Sequence, residues 1–229
     1  MNQKIRQQLF LLQDKKYQAF HSNLCPGINN IIGVRVPEIR KLVKNILKEN
    51  YTEYLETVEN EYYEETLIEG LIIAMCPLSF ENKIEYLDSF IKKINNWAIC
   101  DIVCSSFKLS KEEKKSMRTY LKKYYNSDNE FELRFLIVMM INNYLTADYS
   151  KNVIQIIESI NKESYYVKMS IAWLISILYI KNKTIVIDYL ENNNLDTWTY
   201  NKSIQKIIES KRVSNQEKEL LKKKKRKTK

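Results

Sequence analysis

Residues 95–103 place a tryptophan and a carboxylate on one face of an apolar helix. Trp97 and Asp101 are four residues apart, and residues at that interval share a helix face. An aspartate among isoleucine, valine and cysteine is costly to bury unless it is paired or faces a groove. The tryptophan offers a π surface that attracts cations. The pair therefore suits a flat, positively charged ligand; the alternative is a core tryptophan beside a surface aspartate.

Two further apolar segments each contain one group that does not match its neighbours. Arg134 lies within residues 131–137 and Trp173 within residues 169–175. The intervals from Asp101 to Arg134 and on to Trp173 are 33 and 39 residues, near the period of HEAT-like helix pairs. Equivalent positions of a solenoid line one concave surface, so the groups could share a groove. The alternative is an ion pair between Asp101 and Arg134, with two core tryptophans.

The composition predicts that helices position these residues. Only 3 glycines and 3 prolines occur in 229 residues, whereas sheet-rich folds need many turn residues. Hydrophobic periodicity indicates about a dozen helices and no convincing strand. The first helix is predicted over residues 2–21, and Pro37 fits the first turn of another helix. We predict an all-α, HEAT-like helical-repeat solenoid of antiparallel helix pairs with a concave face; the alternative is a compact helical bundle.

The charge is concentrated at the C-terminal end. The net charge is +9, and residues 222–229 hold seven positive charges, which leaves +2 for the rest. We expect a single domain over residues 1–221 and a basic tail without structure over residues 222–229. Such a tail binds phosphates non-specifically or serves as a solvated end, and the sequence favours neither function.

Cysteine and histidine usage argues against a metal site. The four cysteines, at positions 25, 76, 100 and 104, form no CxxC pair, and the chain has one histidine. We expect no metal or other cofactor. The N-terminus lacks the apolar core of a signal peptide, and no apolar run is long enough to span a bilayer. We expect a cytoplasmic protein with no membrane partner.

The sequence resembles the AlkD-type DNA alkylation repair glycosylases, a family built from HEAT-like repeats. The resemblance begins at residues 16–20 and continues through residues 32–41, which are similar to the family's Gly-Val-Arg-x-Pro-x-Leu-Arg segment. It extends to about residue 212. Asn96 stands where many relatives have a second tryptophan. The most specific part is the ordered set of Trp97, Asp101, Arg134 and Trp173.

The resemblance implies a role for each of these four residues. Asp101 matches the catalytic carboxylate, Trp97 and Trp173 match aromatic contacts to the lesion-bearing nucleotide, and Arg134 matches a contact to the DNA backbone. The implied activity is that of a monofunctional DNA glycosylase, which hydrolyses the N-glycosidic bond of cationic N3- or N7-alkylated purines. Asp101 would stabilise an oxocarbenium-like sugar and orient water.

The implied partner is duplex DNA that contains alkylated bases, bound by a monomer. The first alternative is a non-catalytic HEAT-like module that binds damaged or branched DNA. The second is a protein-binding helical scaffold.

Basic residues outside the four-residue set are candidates for DNA-backbone contacts. One group lies on or beside an early helix, and a second lies in the densest basic stretch before residue 222. Solvated helix faces are the alternative for both groups. The candidates are Arg35, Arg40, Lys41, Lys108, Lys111 and Lys115.

Overall fold

The computed structural model describes residues 1–227, and the regular structure of this part is entirely helical. It contains fourteen α-helices and one short 3₁₀-helix, and no strand occurs among these residues. The chain divides into two compact units, the first from Met1 to Ser116 and the second from Met117 onward. The prediction of a single domain over residues 1–221 stays a prediction.

The first unit contains seven complete helices and the beginning of an eighth. Their bounds are α1 Asn2–Leu11, α2 Lys15–Leu24, α3 Val36–Ile46, α4 Tyr51–Thr57, α5 Tyr63–Met75, α6 Phe80–Ile91 and α7 Trp97–Cys104, with α8 Lys111–Leu121 crossing into the second unit. Helix α5 is central: it packs against α3 and α7, and it also contacts α4 and α6. Its residues Leu67, Ile68, Leu71 and Ile72 are completely buried.

The second unit repeats this arrangement. After the 3₁₀-helix Lys122–Tyr124, its helices are α9 Glu130–Asn143, α10 Ala147–Ser159, α11 Tyr165–Lys181, α12 Lys183–Glu191, α13 Thr197–Glu209 and α14 Asn215–Lys223. Helix α11 packs against α9 and α13, while α12 contacts both α10 and α11. In both units every second helix stacks on the next, which is the packing of helical repeats. The predicted all-α helical-repeat fold is confirmed.

The predicted helix over residues 2–21 is wrong in one respect, because the structure has two helices there. Helix α1 ends at Leu11 and α2 begins at Lys15. Asp14 is the N-cap of α2, and its Oδ1 accepts a hydrogen bond from Tyr17 N at 3.0 Å. A short acidic side chain satisfies an otherwise unpaired N–H at this position. The prediction for Pro37 is confirmed, since it lies in the first turn of α3.

Defined structure continues beyond residue 221, where the sequence predicted a tail without structure. Lys222 and Lys223 form the last turn of α14, and Arg226 N donates a hydrogen bond to Asn201 Oδ1 at 2.8 Å. A long-range contact of this kind leaves no pattern in the local sequence. Residues 228 and 229, the end of the predicted tail, lie outside the described residues.

Candidate functional site

Asn96 fixes the start of α7 and therefore the place of Trp97. Its Oδ1 accepts a hydrogen bond from Ile99 N at 2.9 Å, and its Nδ2 donates to Asn95 Oδ1 at 2.9 Å. An asparagine N-cap satisfies one of the free N–H groups of the first turn. Asn96 is therefore a buried helix cap, and Trp97 is the first residue of the helix.

The Trp97 ring is held by a hydrogen bond to another helix of the first unit. Its Nε1 donates to the carbonyl oxygen of Leu24 at 2.8 Å. Leu24 is the last residue of α2, and the final carbonyls of a helix have no partner inside it. The indole supplies that partner, which fixes its orientation while the side chain stays half-buried.

Asp101 lies one turn after Trp97, on the part of α7 that is not used for packing. Five α7 residues are buried and form its packed side: Ala98, Ile99, Cys100, Val103 and Cys104. Trp97 and Asp101 are both half-buried. Helix α7 thus presents a carboxylate and a fixed aromatic plane side by side, the combination that attracts a cationic ring.

Gly70 of α5 allows α7 to approach closely enough to be held in this position. A Cβ atom at Gly70 would lie 2.3 Å from Phe90 Cζ and 2.6 Å from Val103 Cγ2. Both distances are far below van der Waals contact, so any side chain at this position would push α6 or α7 away. The absence of a side chain at Gly70 thus contributes to the placement of Trp97 and Asp101.

A buried carboxylate holds the loop that contains Gly33. Glu64 of α5 accepts hydrogen bonds from three consecutive backbone N–H groups: Ile32 at 2.9 Å, Gly33 at 2.7 Å and Val34 at 3.1 Å. Its side chain is fully buried. Burial raises the pKa of Glu64, and the three backbone hydrogen bonds oppose that rise. Glu64 therefore fixes the backbone that precedes Arg35.

Arg35 extends from this loop toward α2. Its Nε and Nη2 donate to Asp14 Oδ2 at 3.1 and 2.9 Å, and its Cζ lies 4.9 Å from the centre of the Tyr17 ring. The pKa of Asp14 is lowered, first by the Tyr17 N–H and then by Arg35. Gly33 has φ +100°, and a Cβ there would lie 2.5 Å from Gln18 Cβ. Only glycine suits both that backbone conformation and the close approach to α2.

The other basic candidates of the first unit have different surroundings. Arg40 Nη2 donates to Ser106 Oγ at 3.0 Å, just after α7, and Lys41 pairs with Glu38 at 2.8 Å. The remaining three lysines are exposed, and two of them are one turn apart on α8. These are Lys108, Lys111 and Lys115.

Arg134 of the second unit joins two stacked helices. The residue is only 5% exposed, and its Nη1 donates to Tyr166 O at 2.9 Å. Tyr166 lies in the first turn of α11. Burying a guanidinium is tolerated where its N–H groups are paired. Arg134 thus ties α9 to the helix that contains Trp173.

Trp173 lies on the half-exposed face of α11. Helix α11 is otherwise mostly buried, and five of its half-exposed residues lie at helical spacing on one face: Tyr166, Met169, Trp173, Ile177 and Ile180. Within residues 1–227 the indole of Trp173 has no hydrogen-bond, ring or cation partner. A half-exposed indole whose N–H is unassigned is available to a ligand.

The structure brings the predicted residues together in two groups. Trp97 and Asp101 share one face of α7 in the first unit, while Arg134 and Trp173 lie on the packed pair α9 and α11 in the second. That all four residues line one surface stays a prediction.

A family model for DNA alkylation repair enzymes matches residues 5–207. The match includes most of the chain, with α7 and Asp101 in the first unit and α11 with Trp173 in the second. The chain belongs to the DNA alkylation repair enzyme family. A comparison with curated proteins gave no match.

Two parts of the site in this family member were not predicted from the sequence. The Leu24 carbonyl is a backbone group, so no residue type in the sequence indicates that it accepts the hydrogen bond from Trp97. Glu64 lies in the first turn of α5 beside Glu65, where acidic residues are common, so the sequence gives no sign of its burial.

Two general features of this family member bear on cofactors and membranes. No group of three or more His, Cys, Asp or Glu side chains in residues 1–227 is arranged to hold a metal ion. Within the same range, none of the helices combines the length and apolar character that crossing a membrane requires.

Proposed function

We propose that this member of the DNA alkylation repair enzyme family is a monofunctional DNA glycosylase, which releases purines alkylated at N3 or N7 from duplex DNA. The observation that carries the proposal is the half-exposed face of α7, where Asp101 lies one turn from an indole fixed by Leu24. Family membership supports a role as a DNA repair enzyme, and the α7 face supplies groups suited to this reaction.

The reaction follows from the charge of the lesion. A purine alkylated at N3 or N7 is cationic, so its glycosidic bond is weak and the electron pair of that bond leaves with the base. The base departs neutral, and the sugar becomes oxocarbenium-like at C1′. Asp101 stabilises this positive charge and orients a water molecule, whose oxygen bonds to C1′ and whose proton is released.

No general acid is required, because the leaving base needs no proton. The only histidine of the chain, His21, is buried between the rings of Tyr17 and Tyr63 in the first unit. Its position in this stack is consistent with a structural role, and the chemistry assigned to Asp101 needs no contribution from it.

The tryptophans provide selectivity for the charged lesion. A cation over an indole gains roughly 0.5–1 kcal/mol at an exposed site and about 2 kcal/mol where water is excluded. Trp97 is assigned one such contact and Trp173 the second. A normal, neutral base gains no such energy, so the contacts favour alkylated purines.

Contacts to the DNA backbone are assigned to Arg134 and to the basic candidates of the first unit. Arg134 also holds the first turn of α11 through Tyr166 O. Arg35, Arg40, Lys41, Lys108, Lys111 and Lys115 are the backbone candidates of the first unit. The protein acts as a cytoplasmic monomer with a single domain over residues 1–221.

The test is the release of 7-methylguanine or 3-methyladenine from methylated duplex DNA. Release by the wild type that depends on Asp101 supports the proposal. Salt-dependent binding of duplex DNA without release of either base favours the non-catalytic DNA-binding module. Absence of salt-dependent binding favours the protein-binding scaffold, because phosphate contacts always give a salt dependence.

A further inference from the structure

The basic segment of residues 222–227 is docked on helix α13 of its own unit. One side chain, Asn201, pairs with both backbone groups of Arg226: Asn201 Oδ1 accepts from Arg226 N at 2.8 Å, and Asn201 Nδ2 donates to Arg226 O at 2.9 Å. This reciprocal pair fixes the position of the segment along α13.

The side chain of Arg226 adds a second anchor. Its Nη1 donates to Leu195 O at 2.5 Å and its Nη2 to Asn193 Oδ1 at 2.9 Å, while its Cζ lies 3.9 Å from the centre of the Tyr200 ring. Lys224 forms an ion pair with Glu191. Stacking and forked hydrogen bonds of this kind are specific to arginine, so Arg226 is a fixed point of the segment.

In the docked segment some basic side chains face the protein and others face solvent. Lys224 and Arg226 are half-buried, whereas Lys223, Lys225 and Lys227 are exposed. Among residues 1–227 none of these three exposed lysines has a carboxylate partner, and Lys225 Nζ donates only to the neutral amide oxygen of Gln205, at 2.7 Å. Three exposed ammonium groups without a carboxylate partner therefore lie close together in the chain, at and just after the end of α14.

We propose that Lys223, Lys225 and Lys227 form a phosphate-binding ridge, which contacts the backbone of the duplex DNA that the protein binds. The inference rests on the proposed function for its DNA partner. The ridge lies outside the family match, which ends at residue 207. Because the segment is held in place before binding, the complex avoids part of the entropy that ordering a free tail would cost.

The first experiment removes the ridge charges and keeps the anchors. In K223Q/K225Q/K227Q, the Kd for an unmodified duplex rises about tenfold or more at low salt. A plot of log affinity against log salt concentration becomes less steep by about 2–3, because each lost phosphate contact reduces the magnitude of the slope by about 0.9. An unchanged slope would overturn the proposal.

The second experiment releases the segment and keeps every charge. N201A/R226K removes the two hydrogen bonds between the Asn201 side chain and the backbone of residue 226. It also removes the paired guanidinium hydrogen bonds and much of the stacking on Tyr200, while the net charge is unchanged. Hydrogen exchange at the amide of residue 226 becomes fast, and the Kd for the same duplex rises about threefold to tenfold. Wild-type affinity in this variant would show that a free polycation suffices, and slow exchange would show that the described anchors do not hold the segment; either result overturns the proposal.

Failure of the ridge and failure of the glycosylase proposal give different results. The ridge is tested by the binding of undamaged duplex to the lysine variant, whereas the glycosylase proposal is tested by base release from methylated duplex by the wild type. If the wild type releases no base but the lysine variant binds DNA more weakly, the ridge stands and the glycosylase proposal fails.

Discussion

The indole Nε1 of Trp97 donates a hydrogen bond to the carbonyl oxygen of Leu24 at 2.8 Å. This bond joins the first residue of α7 to the last residue of α2, 73 positions earlier in the chain. It uses the N–H of the indole and leaves the faces of the ring for other contacts. The orientation of the aromatic plane beside Asp101 therefore depends on a helix end that carries no catalytic group.

Trp97→Phe tests this arrangement. Phenylalanine keeps an aromatic ring but has no N–H and a weaker π surface, so the ring loses its fixed orientation. We expect the free energy of unfolding to fall by about 1 kcal/mol, the usual net value of one hydrogen bond. We also expect kcat/KM for release of 7-methylguanine to fall about tenfold, measured with methylated duplex at low substrate concentration.

Trp198→Phe is the control for Trp97→Phe. It makes the same change in the other unit, at a residue without an assigned role in the reaction. Base release should stay at the wild-type rate. Equal losses in both variants would show that the effect at Trp97 is not specific.

Glu64 should contribute strongly to stability. Glu64→Ala leaves three buried N–H groups of residues 32–34 without an acceptor, and each unsatisfied group costs about 1–3 kcal/mol. We expect the free energy of unfolding to fall by about 3 kcal/mol or more in urea titrations. Glu61→Ala is a suitable comparison, since Glu61 is exposed and pairs with Arg6 at the surface; its loss should cost at most about 1 kcal/mol.

His21 makes the free energy of unfolding depend on pH, and a substitution of this one residue can measure its contribution. Burial lowers the pKa of His21 below its usual 6.5. Below pH 6.5 the unfolded chain therefore binds a proton that the folded protein does not, and stability falls as the pH drops from 6.5 toward the folded pKa. The full loss is about 1.4 kcal/mol multiplied by the difference between the pKa values of His21 in the unfolded and folded states.

His21→Phe keeps a ring between Tyr17 and Tyr63 but cannot titrate. Because the chain has no other histidine, the variant should show a smaller change in the free energy of unfolding between pH 7 and pH 5 than the wild type. Parallel curves for the two proteins over this range would mean that His21 has the same pKa in both states.

The sequence predicted what depends on local pattern. Helix positions followed from apolar periodicity, and Pro37 correctly indicated the start of α3. Asp101 and Arg134 were found because a charged residue in an apolar helix is costly to bury unless it is paired or faces a groove. The break before α2 was missed, because Asp14 caps a helix without any glycine or proline to signal it.

The remaining features depend on contacts between distant parts of the chain. The bond from Trp97 to Leu24 involves a backbone carbonyl, and the pairing of Asn201 with Arg226 joins positions 25 residues apart. Neither leaves a periodic trace in the sequence. The buried position of Arg134 has the same origin, since its partner is the backbone of Tyr166 in another helix.

The central claim, that Asp101 stabilises the departing sugar, is tested most directly by single-turnover release of 7-methylguanine from methylated duplex DNA. Wild type and Asp101→Asn are compared side by side, with the Kd for the duplex measured in parallel. Loss of one electrostatic contact to the transition state typically costs about 10²–10³ in rate. We predict a loss of that size with a change in Kd of less than about threefold. Equal rates for the two proteins, or no release of the base by the wild type, would contradict the account.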